Sequence, residues 1–348
     1  MATTAPVVAV HYADGALRAI DQTQLPWREV ELELRCADDV VAAIRRLSIR
    51  GAPLIGVAAA YGVALELARD PDALQAACTA LAGARPTAVN LAHAVERVRG
   101  AVLAAGAAGT AAAAEVALAE ARALHAEEEA ASGAIARHGA DLLAGCRRIL
   151  THCNTGALAA PGRGTALAVI AELSDRGELE LVLAAESRPL LQGARLTVYE
   201  LRRLGIDHAL VVDGAAAGLI AAGEVDAVIV GCDRVAANGD VANKVGTYPH
   251  ALAAAATGIP FVVAGPCTTI DPACLSGSEI VVEQRDGDEV RGAGLWREEP
   301  LALTVAGTPC RNPAFDITPA ALVTALVTER GVAAPPTRES VSGLLGSG

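Results

Sequence analysis

The stretch Arg148-Ile-Leu-Thr-His-Cys-Asn-Thr-Gly156 decides the fold, because a short apolar run in it leads directly into a polar turn. Similar short β-branched runs recur at residues 179–184, 209–213, 227–231, 261–264 and 280–282. Helical patterns lie between most of them, at residues 165–175, 193–204, 215–222 and 248–257. Alternation of strands and helices predicts an α/β fold with a parallel, doubly wound sheet.

The chain before residue 145 has a different periodicity. Short alternating pieces at residues 7–10 and 29–34 predict small strands in a hairpin or meander. From Asp38, a predicted N-cap, to about Leu143 the apolar residues recur at helical spacing. Glycine and proline predict breaks at residues 51–53, 70–71, 85–86 and 106–109.

These two patterns predict two domains. Residues 1–143 form an N-terminal hairpin and helical domain, and residues 144–348 form the parallel-sheet domain. The last stretch, residues 337–348, is small and polar, so we expect it to fray.

Composition excludes several classes of protein. The 348 residues are 53% hydrophobic and carry a net charge of −12, which is unsuited to wrapping nucleic acid. We see neither a signal peptide nor a membrane span, so a cytoplasmic protein is expected. The eight cysteines include no Cys-x-x-Cys pair and no His at ligand spacing, which favours reduced core thiols over a metal cluster.

Two polar residues follow predicted strands at the sheet edge where ligands bind in doubly wound folds. Cys153 stands in the turn after the first of these strands, and Asp233 follows the apolar run 227–230. The alternatives are a buried structural thiol for Cys153, and a helix cap or an ion pair with Arg234 for Asp233. Cys232 would point the opposite way from Asp233, so we read it as a core residue.

Further polar positions suggest contacts to an anionic ligand. Lys244 is the only lysine among 28 Lys and Arg residues, and it is predicted to lie in a turn beside Asn243 before a Gly-Thr helix start. Arg50 precedes Gly51 and Ala52 at a predicted helix break, where glycine lets backbone approach a ligand. Arg85, before Pro86, lies in a similar break. Gln192, after Glu186-Ser-Arg-Pro, lies at the tip of another predicted strand, where its amide could bond sugar hydroxyls. Solvated loop arginines, a chance surface lysine and a helix-start glutamine are the alternatives.

Glycine-rich segments give only weak signals here. Neither Gly162-Arg-Gly-Thr165 nor the 214–218 segment is followed by an acidic residue at the next strand tip, so a nicotinamide cofactor is not expected. We expect no metal and no organic cofactor.

Several motifs together carry a resemblance that extends from about residue 14 to about residue 331. They are Arg50-Gly-Ala-Pro-Leu-Ile-Gly-Val, Arg85-Pro-Thr-Ala-Val-Asn-Leu, His152-Cys-Asn-Thr-Gly, Glu186-Ser-Arg-Pro, Leu191-Gln-Gly-Ala-Arg-Leu-Thr, Gly231-Cys-Asp-Arg, Asn238-Gly-Asp-Val-Ala-Asn-Lys-Val-Gly-Thr and Asn312-Pro-Ala-Phe-Asp-Ile-Thr-Pro. With these motifs the chain resembles the methylthioribose-1-phosphate isomerases, which convert 5-methylthioribose 1-phosphate to 5-methylthioribulose 1-phosphate in methionine salvage.

The resemblance implies roles for individual residues. Cys153 and Asp233 match the catalytic positions of the family. Its substrate-binding positions are matched by Arg50, Gly51, Ala52, Arg85, Gln192, Asn243 and Lys244. The resemblance also implies a Rossmann-like domain behind a smaller N-terminal domain, a sugar phosphate as substrate, and a homodimer.

The sequence departs from the family pattern at Cys232, at residues 212–216 and at Ala92-His93. These departures leave open a related substrate, such as 5-deoxyribose 1-phosphate or ribose 1,5-bisphosphate. Regulatory subunits of the translation initiation guanine-nucleotide exchange factor share the fold family, so a non-catalytic subunit is the alternative from a different class.

Overall fold

A computed structural model describes residues 7–85, 89–293 and 301–346. The chain forms two compact units. The N-terminal unit comprises Val7–Ser132 and Ala157–Gly164, and the C-terminal unit comprises Gly133–Gly156 and Thr165–Gly348. The predicted domains 1–143 and 144–348 stay a prediction.

The N-terminal unit begins with a small antiparallel sheet in the order β1-β2-β3, formed by β1 (Val10–Ala13), β2 (Ala16–Ile20) and β3 (Glu31–Leu34). The helices that follow are α1 (Ala37–Arg45), α2 (Ala52–Arg69), α3 (Leu74–Ala82), α4 (Val89–Ala104) and α5 (Ala113–Leu142). Helix α5 begins in this unit and ends in the C-terminal unit. The prediction of Asp38 as N-cap is wrong, because Cys36 is the N-cap. Asp38 lies in the first turn, where the positive end of the helix dipole stabilises its negative charge.

Helix α2 is the core helix of the N-terminal unit. Its length and a mean hydropathy of 1.3 would by themselves suit a membrane span, but 83% of its residues are buried within the protein. The helix begins directly after Gly51 and carries Pro53 in its first turn, where a missing N–H costs nothing.

The C-terminal unit is built on a seven-stranded sheet. Its strands are β4 (Arg148–Thr151), β5 (Leu181–Ala185), β6 (His208–Val211), β7 (Ala227–Val230), β10 (Phe261–Ala264), β15 (Ala325–Thr328) and β16 (Gly331–Ala333). The order is β16-β15-β10-β7-β4-β5-β6, and every neighbouring pair is parallel except β15 with β16. The predicted α/β fold with a parallel sheet is confirmed.

Apolar side chains cover both faces of this sheet. Buried strand residues such as Leu150, Val228 and Val263 belong to one core cluster, whereas Ile149, Ile229 and Val262 belong to a second. Alternation of this kind along single strands is what a sheet between two helical layers requires. The helices of the unit are α6 (Ala166–Asp175), α7 (Val198–Leu204), α8 (Ala216–Ala221), α9 (Thr247–Thr257), α10 (Asp288–Arg291) and α11 (Arg338–Leu345).

Two smaller sheets complete the described part of the unit. One has the order β11-β8-β9-β14 and is formed by β8 (Arg234–Ala236), β9 (Val241–Lys244), β11 (Ile270–Asp271) and β14 (Phe315–Thr318). The other pairs β12 (Gly292–Ala293) with β13 (Leu301–Ala302). The predicted strand at 280–282 is wrong, because this segment has no strand partner and Val281 is 80% exposed.

The expected fraying of residues 337–348 is also wrong over most of its length. Helix α11 occupies Arg338–Leu345, and its start is fixed by a capping box in which Thr337 and Ser340 exchange hydrogen bonds. Val341 and Leu344 lie three residues apart on one helix face and are buried in the core. The last two residues lie outside the described part of the chain.

Candidate active site

The switch point of the large sheet lies between β4 and β7. From β4 the chain adds β5 and β6 on one side, and then returns to place β7 on the other side. In doubly wound sheets the ligand crevice forms outside the carboxyl ends of the strands at this point. Cys153 and Asp233 follow these two hydrogen-bonded strands within three residues of their ends. The topology therefore places both candidate residues just beyond the carboxyl ends of two neighbouring strands.

The turn that carries Cys153 is held by two hydroxyl groups. Cys153 has a φ of 63°, a left-handed conformation that costs a non-glycine residue free energy. Its N–H donates to Oγ of Ser187 over 2.7 Å, and its carbonyl accepts from Oγ1 of Thr197 over 2.6 Å. Both partners are buried. The half-buried thiol thus stands on a turn that neighbouring segments fix on both sides.

A buried carboxylate supports the residue after Cys153. The Nδ2 group of Asn154 donates to Oε1 of Glu200 over 2.7 Å and lies 3.3 Å from Oγ1 of Thr197. Gly156 makes this approach possible, because a Cβ atom there would lie 2.4 Å from Oε2 of Glu200. Sequence reasoning missed Thr197 and Glu200. Their helix lies some forty residues along the chain, and only the fold brings it under the turn.

Asp233 is tied to the small four-stranded sheet. Its backbone N–H donates to the carbonyl of Ala242 in β9 over 3.0 Å, and Asp233 itself is half-buried. Arg234 forms an ion pair with Asp271 at 3.7 Å. Cys232 packs against the core, as predicted, and its Sγ atom lies 3.4 Å from Oγ1 of Thr269. Burial raises the pKa of the Cys232 thiol to about 12.

Asn243 and Lys244 lie at the end of strand β9, so the prediction of a turn at Lys244 is wrong. Both are buried, at 4% and 6% exposure. Nδ2 of Asn243 donates to Oγ1 of Thr247 over 2.9 Å, and this hydroxyl donates to the carbonyl of Lys244 over 2.7 Å. Nζ of Lys244 lies 5.9 Å from the ring centroid of Phe315 in the paired strand. A chance surface lysine would not be buried in this way, so a specific role is favoured.

Asp316 supports the helix start that follows Lys244. Its carboxylate accepts hydrogen bonds from the N–H groups of Gly246 at 2.7 Å and Tyr248 at 3.1 Å. Burial raises the pKa of Asp316 to about 6, against the opposing effect of these hydrogen bonds. The predicted Gly-Thr helix start is confirmed, since α9 begins at Thr247.

Gln192 follows the tip of β5 and precedes a π-helical turn, Gly193–Thr197. The residue is 7% exposed, and its Oε1 atom has no hydrogen-bond partner in the described part of the chain. A Cβ atom at Gly193 would lie 1.7 Å from the carbonyl oxygen of Ala185, so only glycine fits beside the strand. A buried amide oxygen without a partner is costly, which favours a polar ligand as its partner.

The other four predicted binding residues lie in the N-terminal unit. Gly51 has a φ of 92°, and a Cβ there would lie 2.3 Å from the carbonyl oxygen of Ala159. In the described structure the close approach at this glycine is therefore made by backbone of the same unit. Ala52 is buried at the start of α2, and Arg50 and Arg85 are half-buried. Pro86 and Thr87 lie outside the described residues.

Comparison with known proteins gives consistent matches along the chain. A family profile described as "Initiation factor 2 subunit family" matches residues 48–335. The methylthioribose-1-phosphate isomerase of Anaeromyxobacter sp. (strain K) is 51% identical over 97% of this chain and 96% of its own. The chain belongs to the methylthioribose-1-phosphate isomerase family.

Two further isomerases are similar to this chain over nearly its whole length. The 5-deoxyribose 1-phosphate isomerase of Moorella thermoacetica is 47% identical over 98% of both chains. The solved structure of 5-methylthioribose 1-phosphate isomerase from Pyrococcus horikoshii OT3 is 36% identical, with a TM-score of 0.90 over 99% of this chain and 97% of that one. The resemblance read from the motifs is confirmed.

Proposed function

We propose that this chain is an aldose–ketose isomerase that converts 5-methylthioribose 1-phosphate to 5-methylthioribulose 1-phosphate in methionine salvage. The observation that carries the proposal is the position of Cys153 and Asp233 after the two adjacent strands that flank the switch point. The 51% identical relative named methylthioribose-1-phosphate isomerase supports this choice of substrate. A non-catalytic regulatory subunit would need neither a fixed thiol nor a carboxyl group there.

The substrate sets a specific chemical requirement. Its anomeric oxygen carries the phosphate, so the ring cannot open to a free aldehyde. In the proposed reaction Asp233 acts as a general acid, and its proton passes to the ring oxygen while the bond between that oxygen and C1 breaks. The hydrogen on C2 of the resulting cation becomes acidic.

Cys153 then moves one proton within the substrate. The thiolate removes the proton from C2, which gives an enol between C1 and C2, and the same group returns the proton to C1. The C2 hydroxyl loses its proton to the Asp233 carboxylate and becomes the ketone. Both groups end in their starting protonation states, and no electrons are exchanged with another molecule, so the reaction needs no cofactor. General acids and bases of this kind typically contribute about 10²–10⁴-fold each.

The remaining candidates hold the substrate. The ammonium group of Lys244 suits a substrate oxygen, and the amides of Asn243 and Gln192 suit sugar hydroxyls. We assign Arg50, Gly51, Ala52 and Arg85 as binding residues from the resemblance alone. The alternative to proton transfer is a direct hydride shift from C2 to C1, with Asp233 in the same role.

Isomerisation in D₂O separates the two mechanisms. Proton transfer through Cys153 predicts solvent deuterium at C1 of the product. Complete transfer of a C2 deuterium to C1, with no exchange, would favour the hydride shift.

The relative named 5-deoxyribose 1-phosphate isomerase favours one second candidate substrate. The test of the function is therefore kcat/KM of the purified chain on the 1-phosphates of 5-methylthioribose and 5-deoxyribose, and on ribose 1,5-bisphosphate. We expect the methylthio compound to be preferred. A strong preference for either competitor would replace it, and no turnover of any of the three would overturn the isomerase proposal.

The setting proposed for the enzyme is a cytoplasmic homodimer. The sugar phosphate is its only proposed small-molecule partner, and neither nucleic acid nor a membrane is proposed to bind. Light scattering of the purified chain tests the dimer.

A further inference from the structure

A buried imidazole lies between the two segments that carry Cys153 and Lys244. His152 is 0% exposed, and its Nε2 atom lies 2.9 Å from the carbonyl oxygen of Val245, the residue after Lys244. Its Nδ1 atom lies 3.3 Å from Oγ of Ser187, the hydroxyl that accepts the N–H of Cys153. One ring therefore contacts the hydroxyl that holds the thiol turn and the residue that follows the strand of Lys244.

The partners of His152 determine its tautomer. A carbonyl oxygen only accepts, so Nε2 carries the hydrogen and donates it to Val245. Nδ1 is then an acceptor with a single lone pair, and two groups lie 3.3 Å from it: Nε2 of His250 and Oγ of Ser187. The Ser187 hydroxyl also lies 3.1 Å from the carbonyl oxygen of Ala185, to which it donates. Burial lowers the pKa of His152 to about 4 and that of His250 to about 3. Both rings are thus neutral at pH 7 and unsuited to accept a proton from the substrate.

The chain around His152 is shaped to receive the ring. Gly246 has a φ of 107°, and a Cβ atom there would lie 2.8 Å from Cε1 of His152. On the opposite side, Asp213 accepts the N–H groups of Ser187 at 2.8 Å and Arg188 at 2.7 Å. These two hydrogen bonds fix the backbone at Ser187, and they therefore also limit the position of the Ser187 hydroxyl beside the ring.

We propose that His152 is a positioning residue that fixes the distance between Cys153 and Lys244 through Ser187 and Val245. The inference rests on the proposed function, because it assigns a purpose to that distance. It goes beyond that function in giving a role to a residue that does not touch the substrate. A displacement of about 1 Å between reacting groups can cost on the order of 10²-fold in rate.

The test replaces the ring by groups that reach only one of its two partners. An amide at His152→Asn or His152→Gln cannot contact Ser187 and Val245 together. We expect kcat to fall by about 10- to 100-fold while KM changes much less. His208→Asn is the matched control, because His208 also meets a carbonyl, that of Ile206 at 2.7 Å, but lies at the opposite edge of the sheet. The control should keep the kcat of the wild type.

A double-mutant cycle separates positioning from loss of folding. Ser187→Ala removes the second link of the same chain, so its effect on kcat should overlap with that of His152→Asn. The kcat of the double variant should be only slightly lower than that of the less active single variant. If the two effects were independent, the two fold-losses in kcat would multiply. His152→Gln keeps the inference testable if His152→Asn does not fold, because Ser187→Ala alone also removes the direct hydrogen bond to the N–H of Cys153.

The rate of alkylation of Cys153 in the free protein provides a readout without turnover. It should change in His152→Asn and stay unchanged in His208→Asn, even if the proposed substrate is wrong. Wild-type kcat and an unchanged Cys153 alkylation rate in a folded His152→Asn protein would overturn the positioning role. A wild-type protein that turns over no sugar phosphate would instead overturn the proposed function.

Discussion

The hydroxyl of Thr197 donates a hydrogen bond of 2.6 Å to the carbonyl oxygen of Cys153. Together with the hydrogen bond from the N–H of Cys153 to Ser187, this contact holds the left-handed turn that presents the thiol. Thr197→Val keeps the shape of the side chain but leaves a partly buried carbonyl without this donor. We expect the free energy of unfolding to fall by about 1–3 kcal/mol and kcat to fall with it.

Urea unfolding and steady-state kinetics measure the two effects of Thr197→Val. Thr257→Val is the matched control, since the Thr257 hydroxyl donates to a carbonyl in an exposed position of α9. Its kcat should equal that of the wild type. Equal kcat for both valine variants would mean that the turn does not depend on Thr197.

Lys244 is expected to resist its most conservative replacement. Lys244→Arg puts a planar guanidinium in place of a compact ammonium beside Phe315, on a residue that is only 6% exposed, so kcat/KM should fall by at least about tenfold. Arg234→Lys is the reverse exchange at a partly exposed ion pair and should have little effect. Borohydride trapping of a covalent lysine–substrate adduct would contradict the binding role and indicate a Schiff base.

Asp316 should give the protein a pH-dependent stability. Its pKa is raised from 3.8 to about 6 in the folded state, so the folded protein holds this proton more tightly than the unfolded chain. The contribution is therefore fully present below about pH 4 and lost as pH rises through 6. Relative to Asp316→Asn, the free energy of unfolding of the wild type should fall by roughly 2–3 kcal/mol between pH 4 and pH 7. Urea unfolding at both pH values measures it, and a constant difference would show that Asp316 titrates normally.

Cys153 should be distinguished from the other thiols by substrate protection. Burial raises the pKa of Cys78 and Cys267 to about 11, which keeps these thiols protonated and slow to alkylate. Of the seven other thiols, which were all read as core residues, four are only partly buried: Cys36, Cys146, Cys232 and Cys310. Cys146 and Cys232 still pack against the core, so the reading is too broad for Cys36 and Cys310.

Peptide mapping after brief iodoacetamide treatment compares these thiols. We expect label on Cys153 in the free enzyme and its loss when the sugar phosphate is saturating. Label on Cys310 should be the same with and without substrate. If substrate leaves the labelling of Cys153 unchanged, the thiol does not face the ligand.

The sequence predicted those parts of the fold that follow from local periodicity. The runs that form β4 and β7 are short, apolar and followed by polar residues, and this pattern predicts Cys153 and Asp233 at a sheet edge. Strand β9 was missed because its last two residues, Asn243 and Lys244, are polar and resemble a turn. Their strand character comes from pairing with β14, which lies seventy residues along the chain.

The supports of the site were out of reach for the same reason. Ser187 and Thr197 are small polar residues in ordinary sequence surroundings, and their role depends on meeting the backbone of Cys153 in space. The Glu186-Ser-Arg-Pro motif contained Ser187, but nothing in the motif indicated its partner. His152 was likewise visible beside Cys153, yet its second contact, Val245, is fixed only by the fold.

The central claim is that Cys153 and Asp233 together move protons in a sugar 1-phosphate. The most direct measurement is kcat of Cys153→Ser and Asp233→Asn on 5-methylthioribose 1-phosphate, beside Cys146→Ser as a half-buried thiol that precedes β4 at the other edge of the sheet. We predict losses of about 10²–10⁴-fold for the first two proteins, with folding intact, and wild-type kcat for the third. Near-wild-type kcat in a folded Cys153→Ser or Asp233→Asn protein would contradict the account.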